Sequence, residues 1–334
     1  MRLPFASRSP LIGVEISPRW LKAYQVHRRG EPVCARVERR VPEAPFSADD
    51  AGVLAGVLER AGFAGRRVVL VPPRDHVLMD VLELPPRSSG APLGELARVE
   101  LARTNRCDPN SFELGWWELP STGRGGDQSH VFAAAMPFSR STPILDACDN
   151  AGLEAHAIDA PPNALARSYG HTPPDAMLDI GWSGGMLCVM HSGLVVYERT
   201  IDEAGLRTFI GPLATRLGIP PEAVEQLLLA SAGGDGGQDH PLAAELRGPT
   251  NEYLDRVATE VQRSLAYMAH RHPHWRLHTL GFTGDGACLN GLRDKLAAVL
   301  GATISGPTGV GVPFAMAAGA SVFGSPAAIQ KGAA

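Results

Sequence analysis

The chain has 334 residues, of which 44% are hydrophobic and 20% are charged, the balance of an ordinary globular protein with room for two hydrophobic cores. Its net charge of −4 excludes a strongly basic nucleic-acid-binding protein. Small molecules or other proteins are therefore the expected partners, and no nucleic acid is predicted among them.

Cysteines and apolar segments indicate the compartment. The five cysteines are far apart and include no Cys-x-x-Cys pair, so we predict neither a disulfide framework nor a zinc site, as fits a reducing cytoplasm. No stretch approaches the roughly 20 apolar residues of a membrane span. The first residues also lack the apolar core of a signal peptide. We therefore expect a soluble, cytoplasmic chain.

The first predicted elements form a strand meander. Residues 11–26, LIGVEISPRWLKAYQV, have the pattern of strand, turn and strand, and 32–41 is a further strand candidate. The stretch LDIGWSGGML at 178–187 repeats this pattern 164 residues later, so that Glu15 aligns with Asp179. Such a repeat is typical of a duplicated protein with two lobes. An acid at a strand end, just before a glycine turn, indicates that something charged sits there.

The segment 77–160 has a different order of predicted strands and helices. After a helix near 51–61 and a strand at 67–71, its pattern is β-α-β-β-α-β, which predicts a self-contained, ferredoxin-like insert. The loop STGRGGDQ inside it has no periodicity and is predicted to be a mobile connection without a site. The predicted elements are strands at 77–84, 112–119, 130–136 and 154–159 and helices at 93–104 and 141–151.

Helices dominate the next part of the chain. They are predicted at 205–217, 221–230 and 252–268, the last with an apolar stripe at spacings of three and four. SAGGDGGQDH, after the second of them, is predicted to be a flexible loop, and the histidines of HRHPHW fit no common zinc spacing. The stripe consists of Leu254, Val257, Val261, Leu265 and Met268.

A strand, a glycine turn and a helix are predicted at 277–301. Gly284 and Gly286 would let the backbone approach a ligand closely, and the following helix begins with unpaired N–H groups. Its predicted apolar side includes Leu289, Leu292, Leu296 and Leu300.

Together these segments resemble the PilM family of type IV pilus assembly proteins, relatives of FtsA in the actin-like ATPase superfamily. The resemblance covers residues 11–324, and its motifs occur in the family's order. The motifs are GVEISPRWLKA at 13–23, NAGLEAHAIDAPPNALARS at 150–168, LDIGWSGGMLCV at 178–189, GFTGDGACLNGLRDKL at 281–296 and VPFAMAAGASVFG at 312–324.

The resemblance implies an α/β, actin-like (ribonuclease H-like) fold of two lobes with an inserted subdomain of ferredoxin-like or SHS2 type. The implied domains are a first lobe at 11–76 and 161–178, a partner-binding insert at 77–160, a second lobe at 179–200 and 276–325, and a helical subdomain of the second lobe at 201–275.

The resemblance also implies ATP between the lobes, with Mg²⁺ held by Asp179 through a water. A triphosphate needs N–H donors from both hairpins and an acid near the metal. The implied cofactor-binding residues are Glu15, Ser17, Lys22, Asp179, Gly181, Gly184, Glu225, Gly284, Asp285 and Gly286.

Several positions depart from the family pattern. Glu15 and Ser17 stand where the family has aspartate and glycine, and Pro18 removes one N–H donor. In the helix 221–230, Leu227 or Leu228 occupies the place of a lysine near the ribose. We expect ATP hydrolysis to be weak or absent, and we assign no catalytic base.

The role implied by the resemblance is a scaffold at the cytoplasmic side of the inner membrane, peripheral to it through a partner. That scaffold, part of a type IV pilus or related secretion machine, binds the N-terminal tail of a PilN-type inner-membrane protein beside the insert. Self-association, as in actin relatives, stays open. Two alternatives remain: a degenerate scaffold that no longer binds nucleotide, and a small-molecule kinase of the same superfamily.

Overall fold

A computed structural model describes residues 10–27, 31–120, 128–230, 243–271 and 275–324 of the chain. Three sequence segments with predictions fall partly or wholly outside these ranges. They are most of STGRGGDQ, all of SAGGDGGQDH, and His272 and His274 of HRHPHW.

The first lobe is built on a five-stranded sheet. The strands are β1 (Ile12–Ile16), β2 (Trp20–Gln25), β3 (Val33–Glu38), β4 (Arg67–Val71) and β8 (Glu154–Ile158). Their order is β3-β2-β1-β4-β8, with the first three strands antiparallel and the last three parallel. The predicted meander is therefore one half of a larger mixed sheet.

The second lobe has a sheet with the same arrangement. Its strands are β9 (Ala176–Ile180), β10 (Gly185–His191), β11 (Leu194–Ile201), β12 (Thr279–Thr283) and β13 (Thr303–Ser305). The order β11-β10-β9-β12-β13 repeats that of the first sheet strand for strand. Glu15 pairs with Lys22 in the first hairpin, and Asp179 pairs with Met186 in the second, the same 164-residue offset as in the sequence alignment. The predicted repeat is thus reproduced in the strand register.

The inserted subdomain is smaller than predicted. It consists of β5 (Leu78–Leu84), α2 (Leu93–Asn105), β6 (Phe112–Glu118) and β7 (Ser129–Pro137), with strand order β5-β7-β6. α2 covers one face, where Leu101, Phe112 and Val131 form a separate buried cluster. The remaining two elements of the predicted 77–160 unit lie elsewhere.

These two elements, α3 (Phe138–Asn150) and β8, belong to the first lobe. β8 pairs with β4 in parallel, and Ile144 of α3 shares a buried cluster with Val14 of β1 and Leu54 of α1 (Ala48–Arg60). This corrects the predicted boundary at 160, because a strand joins the sheet that offers a free edge and an apolar face, wherever it lies in the chain.

Two further boundaries are corrected in the same way. β9 lies wholly in the second sheet, so the first lobe does not extend to 178 as predicted. α9 (Ala315–Ser321), predicted within the second lobe, packs with α4 (Pro161–Ser168) between the two sheets. There Met316 of α9 and Leu165 of α4 share one cluster with Val69 of β4 and Met177 of β9.

The outer face of the second sheet is covered by helices. They are α5 (Leu206–Leu217), α6 (Pro221–Ala230), α7 (Ala243–Arg271) and α8 (Leu292–Leu300). α7 is longer than the predicted 252–268, but all five residues of its predicted stripe are buried against the sheet. Leu289 precedes α8 rather than lying in it, and Leu292 and Leu296 carry its buried side. No described helix is both long enough and apolar enough to cross a bilayer.

Local signals explain where α1 begins. The hydroxyl of Ser47 accepts the N–H of Asp50 at 3.2 Å, and the Asp50 carboxylate accepts the N–H of Ser47 at 3.1 Å. This capping box satisfies two N–H groups that the helix itself leaves unpaired. The helix therefore begins at Ala48, three residues before the predicted start.

Candidate functional site

The acids at the ends of β1 and β9 are held by different partners. In the first hairpin, the Lys22 ammonium donates to Glu15 Oε1 at 3.1 Å across the strand pair. In the second lobe, the Thr283 hydroxyl of β12 donates to Asp179 Oδ2 at 2.7 Å. Each acid lies in a central strand, so its carboxylate is fixed by backbone that is paired on both sides.

Lys22 is the centre of a buried charge cluster between the lobes. Its side chain is 2% exposed, and its Nζ also lies 3.3 Å from Asp285 Oδ1 in the second lobe. Arg36 approaches the same oxygen at 3.6 Å. One ammonium thus faces three buried or nearly buried carboxylates, those of Glu15, Asp179 and Asp285.

Burial and like charge change the acidity of this cluster. Burial raises the pKa of Glu15 to about 7, against the effect of Lys22 and with the help of Asp179 and Asp285. Burial also raises the pKa of Asp179, although Lys22 and the Thr283 hydrogen bond oppose it. For Lys22, burial acts to lower the pKa, but the neighbouring carboxylates more than offset it and the pKa is raised. The lysine is held charged, whereas Glu15 titrates near neutrality.

A cleft of about 300 Å³ lies between the two hairpins. Half of the predicted site lines it, namely Glu15, Ser17, Asp179, Gly181 and Gly184. The other half does not belong to its lining among the described residues: Lys22, Glu225, Gly284, Asp285 and Gly286. The structure therefore divides the predicted site into two parts.

The turn of the first hairpin uses its own polar groups. The Ser17 N–H donates to the Trp20 carbonyl at 2.9 Å, and the Ser17 hydroxyl donates to the same carbonyl at 3.0 Å. The Pro18 carbonyl accepts the N–H of Glu43 at 2.8 Å. Ser17 faces the cleft, but its donors are engaged within the turn.

The second hairpin is tied to α5. Its turn closes with a bond from the Gly181 N–H to the Gly184 carbonyl at 3.0 Å. The first N–H groups of α5, those of Leu206 and Arg207, donate to the carbonyls of Gly181 and Trp182 at 3.1 and 2.9 Å. These donors would otherwise be unpaired at the helix start, so the turn and α5 form one unit.

Packing within the protein accounts for Gly284 and Gly286. Gly284 has a φ of 86°, and a Cβ there would lie 2.4 Å from the Ile180 carbonyl oxygen. A Cβ at Gly286 would lie 2.4 Å from Ile180 Cγ2. The glycines let this turn close against the end of β9. Their predicted contact with a nucleotide stays a prediction.

Arg19, which the sequence analysis missed, lies between the part of the predicted site that lines the cleft and the part that does not. Its Nη1 is 2.7 Å from Glu225 Oε2 on α6, and its Nε is 2.7 Å from Glu38 Oε1 on β3. The guanidinium also lies over the rings of Trp20 and Trp182, 4.9 and 4.7 Å from their centroids. The sequence did carry a signal for this contact: Arg19 and Trp182 are bulky residues in the turns of the two hairpin motifs, where a phosphate site needs small residues.

Two more ion pairs join the lobes across the cleft. Arg74, after β4, pairs with Glu198 of β11, with Nε 2.7 Å from Oε1. Arg207 of α5 pairs with Glu43 of the first lobe at 2.6 Å. The first pair is largely buried and the second is about half exposed.

These contacts test whether the residues fit Mg²⁺ and ATP. The Glu15 and Asp179 carboxylates line the cavity, which suits the predicted cation and phosphates. Elsewhere in the predicted site, the Glu225 carboxylate is engaged by Arg19, and that of Asp285 by Lys22 and Arg36, so both acids already have partners within the protein. Within the described ranges, no three acids, histidines or cysteines are grouped to hold a metal ion. The water-mediated magnesium at Asp179 stays a prediction.

A second, larger cavity of about 670 Å³ forms a groove between the insert and the first lobe. We call it the edge groove, because the edge strand β6 of the small sheet and the edge strand β8 of the first sheet both line it. α3 contributes two exposed apolar side chains, Phe138 and Leu145, which are 44% and 39% exposed. The sequence analysis placed docking beside the insert but named no residue there.

Comparison with known proteins supports the fold. No family model matches the sequence. No curated protein matches it either. Among solved structures, the chain is similar to the ethanolamine utilization protein EutJ from Carboxydothermus hydrogenoformans, with 15% identity, 96% of this chain and 92% of that one covered, and a TM-score of 0.58. It is also similar to MreB5 of Spiroplasma citri bound to ADP, with 12% identity, 95% of this chain and 96% of that one covered, and a TM-score of 0.54.

Two equivalent sheets around a cleft, with an acid in the central strand of each, therefore define a protein with the actin-like ATPase fold, as predicted. One particular neighbour is more similar than those two. The PilM-PilN type IV pilus biogenesis complex matches with a TM-score of 0.74 and 21% identity over 94% of this chain and 98% of that one. The predicted resemblance to PilM is confirmed at the level of the fold.

Proposed function

We propose that this chain is an actin-like scaffold of a type IV pilus or related secretion machine. Its edge groove binds the N-terminal cytoplasmic tail of a PilN-type inner-membrane protein, which holds the scaffold at the inner membrane. The observation that carries this proposal is the edge groove itself, with two strand edges along one cavity. The similar structure of a PilM-PilN complex supports it.

Two strand edges make the groove suited to an extended peptide. An extended chain adds to an edge strand through main-chain hydrogen bonds, and alternate side chains then enter pockets. β6 has seven residues and β8 has five, long enough to pair with a tail segment of similar length.

The lining of the groove is suited to apolar side chains. Small residues, Gly115 and Ala134, leave depth beside the insert sheet, and Phe138 and Leu145 offer apolar surface from α3. Two acids line the groove: Asp159, which is paired with Arg167 and therefore brings little net charge, and Glu113 on β6. We infer that the tail places apolar side chains against α3.

For the cleft between the lobes, we propose binding of a nucleotide without efficient hydrolysis. Glu15 and Asp179 supply acids at the phosphate end, while the donors of Ser17 are engaged within its own turn. The contacts of Arg19 favour the alternative of a scaffold that has lost its nucleotide. Calorimetry with Mg²⁺ and ATP on the native chain and on Asp179→Ala distinguishes these two scaffolds. Heat of binding in the native chain, but not in Asp179→Ala, supports nucleotide binding, whereas no heat in either supports the scaffold that has lost its nucleotide.

Tail docking can be tested by fluorescence anisotropy with a labelled peptide of the PilN-type tail. Leu145→Glu places a charge on the groove surface, and we expect the affinity for the peptide to fall at least about tenfold, or 1.4 kcal/mol. The side chain is partly exposed, so the fold should tolerate the change.

Val99→Glu is the matched control. Val99 lies on α2 of the same insert and is 55% exposed, but it does not line the groove. Its affinity should equal that of the native chain. Equal weakening by both variants, or by neither, would remove the edge groove from consideration.

A further inference from the structure

Arg19 connects the two lobes through a buried ion-pair network. It lies in the turn between β1 and β2, yet it is only 4% exposed. One side of its guanidinium bonds to Glu38 in its own lobe and the other to Glu225 on α6 of the second lobe, both at 2.7 Å. A planar guanidinium can bond to two carboxylates at once because its donors point in fixed directions.

The rings around Arg19 come from both lobes as well. Trp20 begins β2, and Trp182 lies in the turn after β9. Trp182 also lines the 300 Å³ cleft, so Arg19 lies between this ring, at the boundary of the cleft, and Glu225. The guanidinium carbon of Arg36 lies 3.6 Å from the centroid of the Trp20 ring, and its Nη1 pairs with Asp285. Arg19 thus joins the first lobe to α6, and Arg36 joins it to Asp285.

The groups that hold Arg19 are chemically suited to a nucleoside. Aromatic faces stack on a base, and carboxylates accept hydrogen bonds from sugar hydroxyls. Arg19 engages Trp20, Trp182 and Glu225 together. The cavity that Trp182 lines has a volume of about 300 Å³, at the lower end of the range for small-molecule sites.

We propose that Arg19 is an intramolecular latch that closes the cleft where Trp182 lines it, so that a nucleotide enters only when Arg19 leaves Glu225 and Trp182. This inference rests on the proposal that the cleft accepts a nucleotide, and it is independent of tail docking. The latch fastens α6 to the first hairpin, so its release loosens α6 and lengthens the cleft in one step.

Two measurements on the full chain test the latch. Arg19→Ala removes the guanidinium, and Glu225→Gln weakens the ion pair from the other lobe while leaving Arg19 in place. We expect amide hydrogen exchange at 222–229 to become at least tenfold faster in both variants. We also expect calorimetry to show that Arg19→Ala binds Mg²⁺ with ATP at least tenfold more tightly than the native chain.

Arg199→Ala is the control. Arg199 also pairs with a glutamate on a helix of the second lobe, Glu260 of α7, but both partners belong to that lobe, so the pair does not connect the two lobes. It should leave both the exchange of α6 and the nucleotide affinity unchanged.

Each other outcome overturns the inference in a distinct way. Unchanged exchange in Arg19→Ala would show that Arg19 does not fasten α6. Faster exchange without ATP binding in any variant would show that the cleft is not a nucleotide site, so the nucleotide proposal fails with the latch while tail docking stands. Faster exchange with unchanged or weaker ATP binding in Arg19→Ala would show that Arg19 does not exclude the nucleotide.

Discussion

Lys22 illustrates how single residues set the electrostatics between the lobes. Its ammonium is buried and lies within 3.3 Å of acids from both lobes, Glu15 and Asp285. A buried charge is tolerated only where partners compensate for the lost hydration. The excess of acids over the one buried lysine is relieved by the raised pKa values of Glu15 and Asp179.

Loss of the lysine should therefore be costly. Lys22→Met leaves Glu15, Asp179 and Asp285 without their shared cation, and we expect the free energy of unfolding to fall by roughly 3–5 kcal/mol. Urea denaturation measures this change. Lys295→Met is the comparison, because the Lys295–Asp255 pair is exposed and its loss should cost less than about 1 kcal/mol. A similar small loss for both variants would contradict the role of Lys22.

Glu15 should make stability depend on pH. Its pKa is about 7 in the folded chain against 4.5 as the ordinary value, so the folded state binds more protons between these limits. The resulting stabilisation is fully present below about pH 4.5 and is lost as the pH rises through about 7. The loss amounts to up to roughly 3 kcal/mol.

Glu15→Gln removes this titration, so its free energy of unfolding should fall less between pH 4.5 and pH 7 than that of the native chain. Urea denaturation at several pH values measures the slope. Glu154→Gln, at an exposed site on β8, should retain the native slope. An unchanged slope in Glu15→Gln would show that another group is responsible.

At the scale of elements, local sequence patterns predicted most strands well. β4 coincides with its prediction at 67–71, and both acid-bearing hairpins form, with pairings that keep the 164-residue offset of the predicted repeat. These are short, strongly apolar segments next to turns, whose pattern is complete within about ten residues. β8 was also found as a strand, but its pattern does not say which sheet it joins.

The contact between α4 and α9 is another feature of this scale. A Cβ at Gly319 of α9 would lie 1.7 Å from the carbonyl oxygen of Ala164 in α4. Gly319→Ala should therefore push the two helices apart and lower the free energy of unfolding by roughly 3 kcal/mol. Gly52→Ala, in α1 with nothing within 4 Å of its added Cβ, should raise it by up to about 1 kcal/mol. Chemical denaturation of both variants decides whether the close crossing matters.

At the scale of the whole molecule, the lobes are joined by packing and by charge. α4 and α9 lie between the sheets in one buried cluster. Three arginines also pair with acids of the opposite lobe: Arg19 with Glu225, Arg74 with Glu198 and Arg207 with Glu43. We therefore expect the two lobes to unfold together rather than as separate domains.

Arg74→Met tests this coupling. It leaves Glu198, whose side chain is 4% exposed, without its partner, and we expect one calorimetric transition with a midpoint lowered by roughly 5 °C. Arg207→Met removes an exposed interlobe pair and should change the midpoint by at most about 1–2 °C. Two separate transitions in the native chain would contradict joint unfolding of the lobes.

The sequence by itself determined the hairpins, their repeat and the acids Glu15 and Asp179, because these depend on apolar periodicity and on residues close together in the chain. Only the tertiary structure decided that β8 and α3 join the first sheet and that α9 packs between the lobes. It also brought Arg19 to Glu225, 206 residues away. An apolar face or a charge specifies that it needs a partner, and the folded chain as a whole determines which partner it meets.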